Sequence, residues 1–540
     1  MKNIILIPAR GGSQGVPRKN VRLLNNRPLI EYVITTALDL SENFETYVIT
    51  DDDEIEFIAL RLGASVVREP KTSGKSTLDE VNLKFLNNFD TKPDPTAVIL
   101  TVQPTCPFIK PGTILKALEQ VLASNGSIIT VTDDRHLNWT IQDGVAQKLY
   151  KERVNRQKLP PNFRESGAVI GTTINNLIKY GTRIVEPINL VEVTKEEGID
   201  IDDFHDWAIA EYVATKKKVI IRTDASQELG MGHVYRSLAI ALELSQHEIY
   251  LYTDVEKPLG SDFFEAFPFK HINQPAQDFE KFVQGHKPSI VILDILDTTK
   301  EFIVELKKNA DRVVTFEDLG EGASVADLLV SDLYQNNKVQ NDKQLSGIEY
   351  AVLSPSFDVL APLESVKKDV SNILLLFGGT DPSDLTLQAL SALQAINFKG
   401  HVSVVQGLGK KDRFINLESY GLKGEVLTNV QYLPKYMLQA DLAISSAGRT
   451  ITELVCLGIP TICLCQNEKE ILHTHASQQF GVINLGLGSL QTPQTIGSHI
   501  KFLSENYELR KKMNERQVFH SRLRKNKKII EKIITHLKLK

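Results

Sequence analysis

No apolar run in this 540-residue chain is long enough to cross a bilayer as a helix, so stable membrane insertion is not expected. The N-terminus lacks the order of a secretory signal, because polar Gly12-Ser13-Gln14 follows only a short apolar stretch. Cysteine is scarce. Four thiols in a chain of this length make no disulfide framework, and a reducing, cytoplasmic setting is expected. A basic excess is missing too. The 62 Lys and Arg stand against 67 Asp and Glu, a net charge of −5, which argues against nucleic acid as a partner. There is no strict internal repeat. What is present is an ordinary globular composition, 42% hydrophobic and 24% charged. The chain is too long for one core, and two to four domains are expected.

The first stretch sets the chemistry. Ile4-Ile5-Leu6-Ile7 reads as a buried parallel strand. It runs directly into Pro8-Ala9-Arg10-Gly11-Gly12-Ser13-Gln14-Gly15-Val16-Pro17-Arg18-Lys19-Asn20. Gly11, Gly12 and Gly15 let backbone amides approach a phosphate chain closely, and Arg10, Arg18 and Lys19 supply countercharge. The loop is neither a Walker A sequence nor a G-x-G-x-x-G fingerprint. A Gly/Arg/Lys loop after an N-terminal strand predicts a nucleoside triphosphate at the carboxyl end of a sheet. The alternative, a plain strand-to-helix turn, leaves the clustered cations unexplained.

Over the first 210 residues strand and helix alternate: helix 28–40, strand 46–50, helix 55–62 stopped by Gly63, strand 64–67, helix 78–89, strand 97–102. That alternation predicts a parallel sheet with helices on both faces. Gly74-Lys75-Ser76-Thr77 is half of a Walker sequence, but position 69 is Glu, so it reads as a loop leading into a helix cap. Further on, Asp200 and Asp202 at i and i+2 of a strand would share a face and could hold one hard cation such as magnesium. The alternative is a solvated acidic turn. Asp203 and Asp206 are candidates for supporting that site or capping the helix that follows.

These motifs resemble the acylneuraminate (CMP-sialic acid) cytidylyltransferases. The opening loop follows I-P-A-R-G-G-S-x-G-x-P-x-K-N, with Gln14 where the family has Lys. Gln103-Pro104-Thr105-Cys106-Pro107 resembles Q-P-T-S-P, and Ile109 replaces an Arg beside Lys110. The stretch from Asn155 to Gly167 resembles R-Q-x-x-P-x-x-x-R-x-N-G, with Ser166 in place of Asn, and Asp200-Ile201-Asp202 resembles the D-I-D metal motif. The resemblance implies a Rossmann-like α/β nucleotidyltransferase domain over 1–215. It implies catalytic roles for Arg10 and Lys19, and CTP contacts from Gly11, Gly12, Ser13, Asn20, Gln103 and Thr105. Arg156, Gln157 and Arg164 would reach a nine-carbon keto sugar acid, Asp200 and Asp202 would hold Mg²⁺, and a homodimer would form through this domain.

Near Thr215 the pattern restarts. Lys216-Lys217-Lys218 reads as a charged linker, and 219–224 as a second leading strand. Gly230-Met231-Gly232 then enters a helix whose first turn carries His233, where the dipole favours a neutral imidazole able to act as a base. The alternative for His233 is a cap or packing residue. Gly378-Gly379-Thr380 and Ala447-Gly448-Arg449-Thr450 are further small-residue turns after strands, suited to a diphosphate, and Glu453 one turn into a helix could accept ribose hydroxyls. Cys463-x-Cys465 with His473-x-His475 matches no common zinc spacing, so these thiols read as buried. The tail from Lys501 holds thirteen Lys and Arg against four Glu and reads as a basic helix packing back on the domain.

The arrangement R-x-D-x-S-x-x-x-G-x-G-H-x-x-R resembles the UDP-sugar hydrolase of pseudaminic acid biosynthesis and the spore-coat polysaccharide proteins. It implies a two-lobed glycosyltransferase-B-like pair of α/β domains, 218–365 and 366–540. His233 would be the catalytic base, with Asp224 and Arg236 at the sugar. Gly232, Gly378, Gly379, Thr380, Gly448, Arg449, Thr450, Glu453 and Asn467 would meet the nucleotide of a UDP-sugar. Three functions follow: a bifunctional enzyme, a cytidylyltransferase joined to a glycosyltransferase, or a chain in which one half only binds a nucleotide sugar.

Overall fold

A computed structural model of the chain describes residues 2–524 except Gln14, 71–75, 88–93, 227–229, Pro258, Leu296, 335–338, 408–413, Asn429 and Gln431, together with Ile533 and Thr535. The chain divides into two compact units, Met1–Lys216 and Lys217–Lys540.

The first unit is built on one seven-stranded sheet. Across it run Ile188–Glu192, Ser127–Asp133, Phe163–Thr173, Val98–Val102, Asn3–Pro8, Phe44–Thr50 and Ser65–Arg68. Asn3–Pro8 lies between parallel neighbours Phe44–Thr50 and Val98–Val102. Ile4, Ile5, Leu6 and Ile7 are fully buried. Ile5 and Ile7 face Val33, Val48 and Leu100, whereas Ile4 and Leu6 face Val81, Phe85 and Ile174. Burial on both faces is why this strand reads as an unbroken apolar run; each such side chain contributes about 1.5–3 kcal/mol.

The expectation of a wholly parallel sheet is corrected here. Phe163–Thr173 runs antiparallel to both Val98–Val102 and Ser127–Asp133, with its register broken between Glu165 and Ile170. An antiparallel strand inserted into a parallel sheet leaves no mark in the local periodicity. The helices behave as read: Asp53–Leu62 ends on Gly63 at φ 97°, and Thr77 with Glu80 forms the reciprocal cap of Leu78–Asn87. Gly74, Lys75 and Phe89 lie outside the described residues.

The second unit holds two lobes, each with a fully parallel sheet. In the first lobe the order is Lys270–Gln274, Glu248–Asp254, Lys218–Thr223, Ile290–Asp294, Arg312–Phe316, Leu328–Ser331 and Gln344–Ser346. In the second it is Lys423–Leu427, His401–Val405, Asn372–Leu376, Leu442–Ser445, Thr461–Cys465 and Val482–Leu487. Lys218 already belongs to a strand, so the three-lysine linker is corrected to a junction between Lys216 and Lys217. The helix Tyr507–Leu523 packs on Arg449–Leu457, and buried Ile533 joins the core of the first lobe. The chain therefore returns to the first lobe at its end, which the division at 365/366 does not capture.

In all three sheets the leading strand has one neighbour from the next strand and another from later in the chain. Such a switch in strand order opens a crevice at the carboxyl ends of the strands, where ligands bind. The crevices receive residues 8–13, 15–20 and 103–105 in the first unit, Asp224 and His233 in the first lobe, and 377–380 with 446–450 in the second.

Candidate functional site

In the first unit a cavity of about 350 Å³ opens at the crevice. Arg10, Ser13, Lys19, Asn20, Gln103, Thr105, Asp200 and Asp202 all line it. Eight residues spread over almost two hundred positions thus converge on one hollow. Lys19 is almost buried; its Nζ donates to the carbonyl of Ile201 and stands 3.5 Å from Asp202 Oδ1. Asn20 Nδ2 donates to the Arg10 carbonyl at 3.0 Å and fixes the loop entry. One buried oxygen, Asn20 Oδ1, has no hydrogen-bond partner, while the Thr105 hydroxyl meets the Asp200 carboxyl. An unpaired polar atom is costly when buried, and this one belongs to a residue lining a cavity that a polar ligand would fill. Burial and the Asp202 charge push the Asp200 carboxyl above its ordinary range, while Thr105 and Lys19 pull the other way.

The loop glycines divide their work differently from the reading above. The Gly11 amide donates to Asp51 Oδ1 at 2.9 Å, so it is not free for phosphate. A Cβ on Gly15 would lie 2.0 Å from the Asp202 carbonyl oxygen, so this glycine permits the close approach that seats the acidic segment on the loop. Gly12 faces open space. Arg18 is spent elsewhere, on Asp52 at 2.6 Å and on Glu54. Gln14 lies outside the described residues. Asp200 and Asp202 sit in an extended loop rather than a strand, and Asp203 with Asp206 forms the capping box of helix Phe204–Ala214. Ser166 is buried and donates to Thr130, and Cys106 is buried against the Ser166 carbonyl, so both are packing residues. Arg156, Gln157 and Arg164 are exposed and do not line the cavity.

In the second unit His233 stands in the first turn of helix Gly232–Glu243, 17% exposed, with Nδ1 2.7 Å from Asp294 Oδ1. Asp294 ends the strand Ile290–Asp294. Burial works against its charge, but Arg236 and His233 more than offset this and hold its carboxyl well below the usual range. Arg236 is corrected from a sugar contact to a scaffold residue: its side chain is 1% exposed and is taken up by Asp294 and Glu317. Asp224 is buried on Lys257 at 2.7 Å, with Oδ1 unpaired.

The second lobe meets the first at glycines. A Cβ on Gly232 would stand 3.2 Å from Arg449 Cδ, and one on Gly379 would stand 3.3 Å from Met231 Cγ. Arg449 donates to the Val352 carbonyl and lies 3.9 Å from Asp332. Tyr334 and His473 meet at 2.9 Å across the lobes, and the Thr474 amide donates to Leu333. Gly378, Gly379 and Thr380 lie at this junction, but the helix Leu385–Ala395 behind them offers no free end. Asp381 already accepts from the Leu385 and Thr386 amides. Gly448, Arg449 and Thr450 open the helix Arg449–Leu457, whose N-cap Gly448 has no side-chain partner. Asn467 caps the short helix Glu468–Ile471 instead of facing the crevice. Burial pushes Glu453 up to about 7. Cys463 and Cys465 are buried thiols, and His473 and His475 are hydrogen-bonded inside the protein. Among the described residues no cluster of three or more His, Cys, Asp or Glu is arranged to hold a metal.

Residues 4–252 match the Cytidylyltransferase family. A CMP-N,N'-diacetyllegionaminic acid synthase of Legionella pneumophila is 30% identical over 221 residues, which are 39% of this chain and 95% of that protein. The chain belongs to the cytidylyltransferase family. Residues 373–528 match the Glycosyltransferase family 28 C-terminal domain. A spore coat polysaccharide biosynthesis protein of Bacillus subtilis is 25% identical over 313 residues, 54% of this chain and 90% of that protein. An uncharacterized protein of Methanocaldococcus jannaschii is 30% identical over 277 residues, 46% of this chain; the chain spans about half the length of that relative, 56%. No helix among the described residues is long and apolar enough to cross a membrane.

Asp294, Asp332 and Glu470 escaped the sequence reading. Asp294 had a signal, a polar residue closing the apolar run Ile290-Val291-Ile292-Leu293 at the ligand-bearing end of a strand. Glu470, which accepts from Ala447 and Gln466, had none.

Proposed function

We propose that the first unit transfers CMP from CTP to a nine-carbon 2-keto sugar acid and that the second hydrolyses a UDP-diacetamido-trideoxy hexose. The observation that carries the first half is the convergence of Arg10, Lys19, Asp200 and Asp202 on one cavity. The anomeric hydroxyl of the sugar acid attacks the α-phosphorus of CTP, and pyrophosphate leaves. No protein nucleophile is needed, because positioning and charge stabilisation dominate such a step. Arg10 and Lys19 offset the developing charge. Gly12 gives the phosphate chain room, and Gln103 and Thr105 form the opposite wall.

The donor set fits Mg²⁺. Two carboxylates lining one cavity, Asp200 half-buried and Asp202 exposed, suit a hard cation that keeps few protein ligands. Asp200 and Asp202 would hold it, and it would supply further neutralisation of phosphate charge. The hairpin Trp139–Gln142 with Val145–Lys148 projects Trp139, Ile141 and Val145 into solvent, which supports a homodimer through this unit.

In the second unit His233 would take a proton from water directed at the anomeric carbon, and UDP would leave toward the helix end at Gly448–Thr450. The match to a glycosyltransferase domain favours a second reading, in which the same cleft passes the sugar to an acceptor. Mass spectrometry of products decides. The purified chain is incubated with CTP, Mg²⁺ and nine-carbon keto acids, and separately with UDP-diacetamido-trideoxy hexoses. A CMP-sugar together with UDP and free hexose supports the bifunctional enzyme. A CMP-sugar with intact UDP-sugar supports the glycosyltransferase. No CMP-sugar from any keto acid would overturn the first half.

A further inference from the structure

The His233 imidazole is the visible end of a longer buried construction. Arg236 Nη2 donates to Asp294 Oδ1 at 2.5 Å and Nε to Oδ2 at 2.8 Å, and Ser237 Oγ adds a contact to Oδ2 at 3.3 Å. Arg236 Nη1 donates to Glu317 Oε1 at 3.1 Å. Glu317 in turn accepts from Ser331 Oγ at 2.8 Å and from the amides of Asp332 and Leu333 at 3.1 and 3.2 Å. Its φ is 52°, a conformation that a non-glycine residue keeps only where its surroundings over-determine it. Asp294 is fully buried, so these donors leave it no freedom to rotate.

A carboxylate can only accept. Its 2.7 Å contact with His233 therefore requires the proton on Nδ1, and the longer 3.4 Å approach of Arg236 Nη2 to the same nitrogen does not compete. Nε2 is left with its lone pair and makes no hydrogen bond among the described residues. The charged and titratable groups around this assembly are Asp294, Arg236, Glu317 and Asp332 from the first lobe, with Arg449 and His473 from the second.

We infer that Asp294 is a positioning residue that fixes the tautomer and aim of His233, and that Arg236, held by Glu317, locks Asp294 in the required orientation. The inference deepens the hydrolase reading and rests on it for its kinetic consequence. It does not rest on it for its structural one.

The test uses the full chain and Asp294→Asn. UDP-sugar hydrolysis is expected to lose about 10²- to 10⁴-fold in kcat with KM nearly unchanged, the range of a misplaced general base. The acidic limb of the pH profile, where the imidazole must lose its proton to act as a base, is expected to move to lower pH, because a negative neighbour of the imidazole is removed. In parallel, ¹⁵N-histidine spectra, with His233 assigned through His233→Gln, are expected to show the Nδ1–H form in the parent protein and its loss in Asp294→Asn. If Asp294→Asn does not fold, Glu317→Gln, which leaves the Asp294 carboxylate in place but loosens Arg236, is expected to keep the Nδ1–H form and to lose about tenfold in kcat; a parent-like kcat in that variant overturns the lock. An Nε2–H form in the parent protein, or kinetic loss in Asp294→Asn with unmoved acidic limb and tautomer, overturns the inference. A parent protein with no hydrolysis but the Nδ1–H form, lost in Asp294→Asn, overturns the hydrolase reading and leaves the positioning role standing.

Discussion

Lys19 Nζ stands 3.5 Å from Asp202 Oδ1, and the same ammonium donates to the carbonyl of Ile201. A cation from the first loop is thereby tied to an acidic segment 182 residues further along the chain. The two charged ends of the cavity are held at one point.

That link separates activity from stability. The Asp202 side chain is 78% exposed, so Asp202→Asn is expected to shift stability by no more than about 0.5 kcal/mol. CMP-sugar formation is expected to fall by about 10²-fold or more, since the lost charge faces the phosphates. Initial rates and thermal melting of the same preparation check both. A variant within a few-fold of the parent rate sinks the assignment.

The loop glycines give a paired test. Gly15→Ala drives a Cβ into the Asp202 carbonyl at 2.0 Å and is expected to lower both the melting temperature and CMP transfer. Gly12→Ala meets nothing within 4 Å, so melting is expected to hold while KM for CTP rises by about tenfold from crowding of the phosphates. Equal effects of the two variants on melting would contradict this division.

His475 makes the second unit sensitive to acid. It is buried against Thr452, and burial lowers it to about 4 from an ordinary 6.5. Between those values the unfolded chain binds the proton and the folded chain does not, so stability rises with pH across pH 4 to 6.5 and is lost on acidification. His475→Gln is expected to remove as much as about 3 kcal/mol of that slope. Calorimetry is the measurement, because Trp139 and Trp207 both lie in the first unit and tryptophan fluorescence does not follow the second.

The exposed arm predicts assembly. Ile141→Glu and Trp139→Ala place charge or remove bulk at positions 76% and 57% exposed, where folding stability should not change. Light scattering is expected to show a dimer for the parent and a monomer for the double variant. A dimer that survives both changes lies on another surface.

Much of the architecture was legible because it is written in local pattern. The buried run Ile4–Ile7, the Gly63 stop and the reciprocal Thr77–Glu80 cap are all short-range signals, and each sits where the sequence puts it. So does His233 at its helix start. The antiparallel strand Phe163–Thr173 was not legible, because pairing direction is a relation between distant segments.

The sequence by itself determined which chemistry is available: a cationic glycine loop, an acidic pair, and an imidazole at the head of a helix. Residue types and short spacings are enough for that. Only the tertiary structure decided how these groups are used. It spent Arg18 on Asp52, the Gly11 amide on Asp51, the Leu385 helix end on Asp381, and Arg236 on Asp294 and Glu317. Buried charges and orphaned amides must find partners, and those partners are chosen by which strand ends the fold brings together rather than by neighbours in the chain.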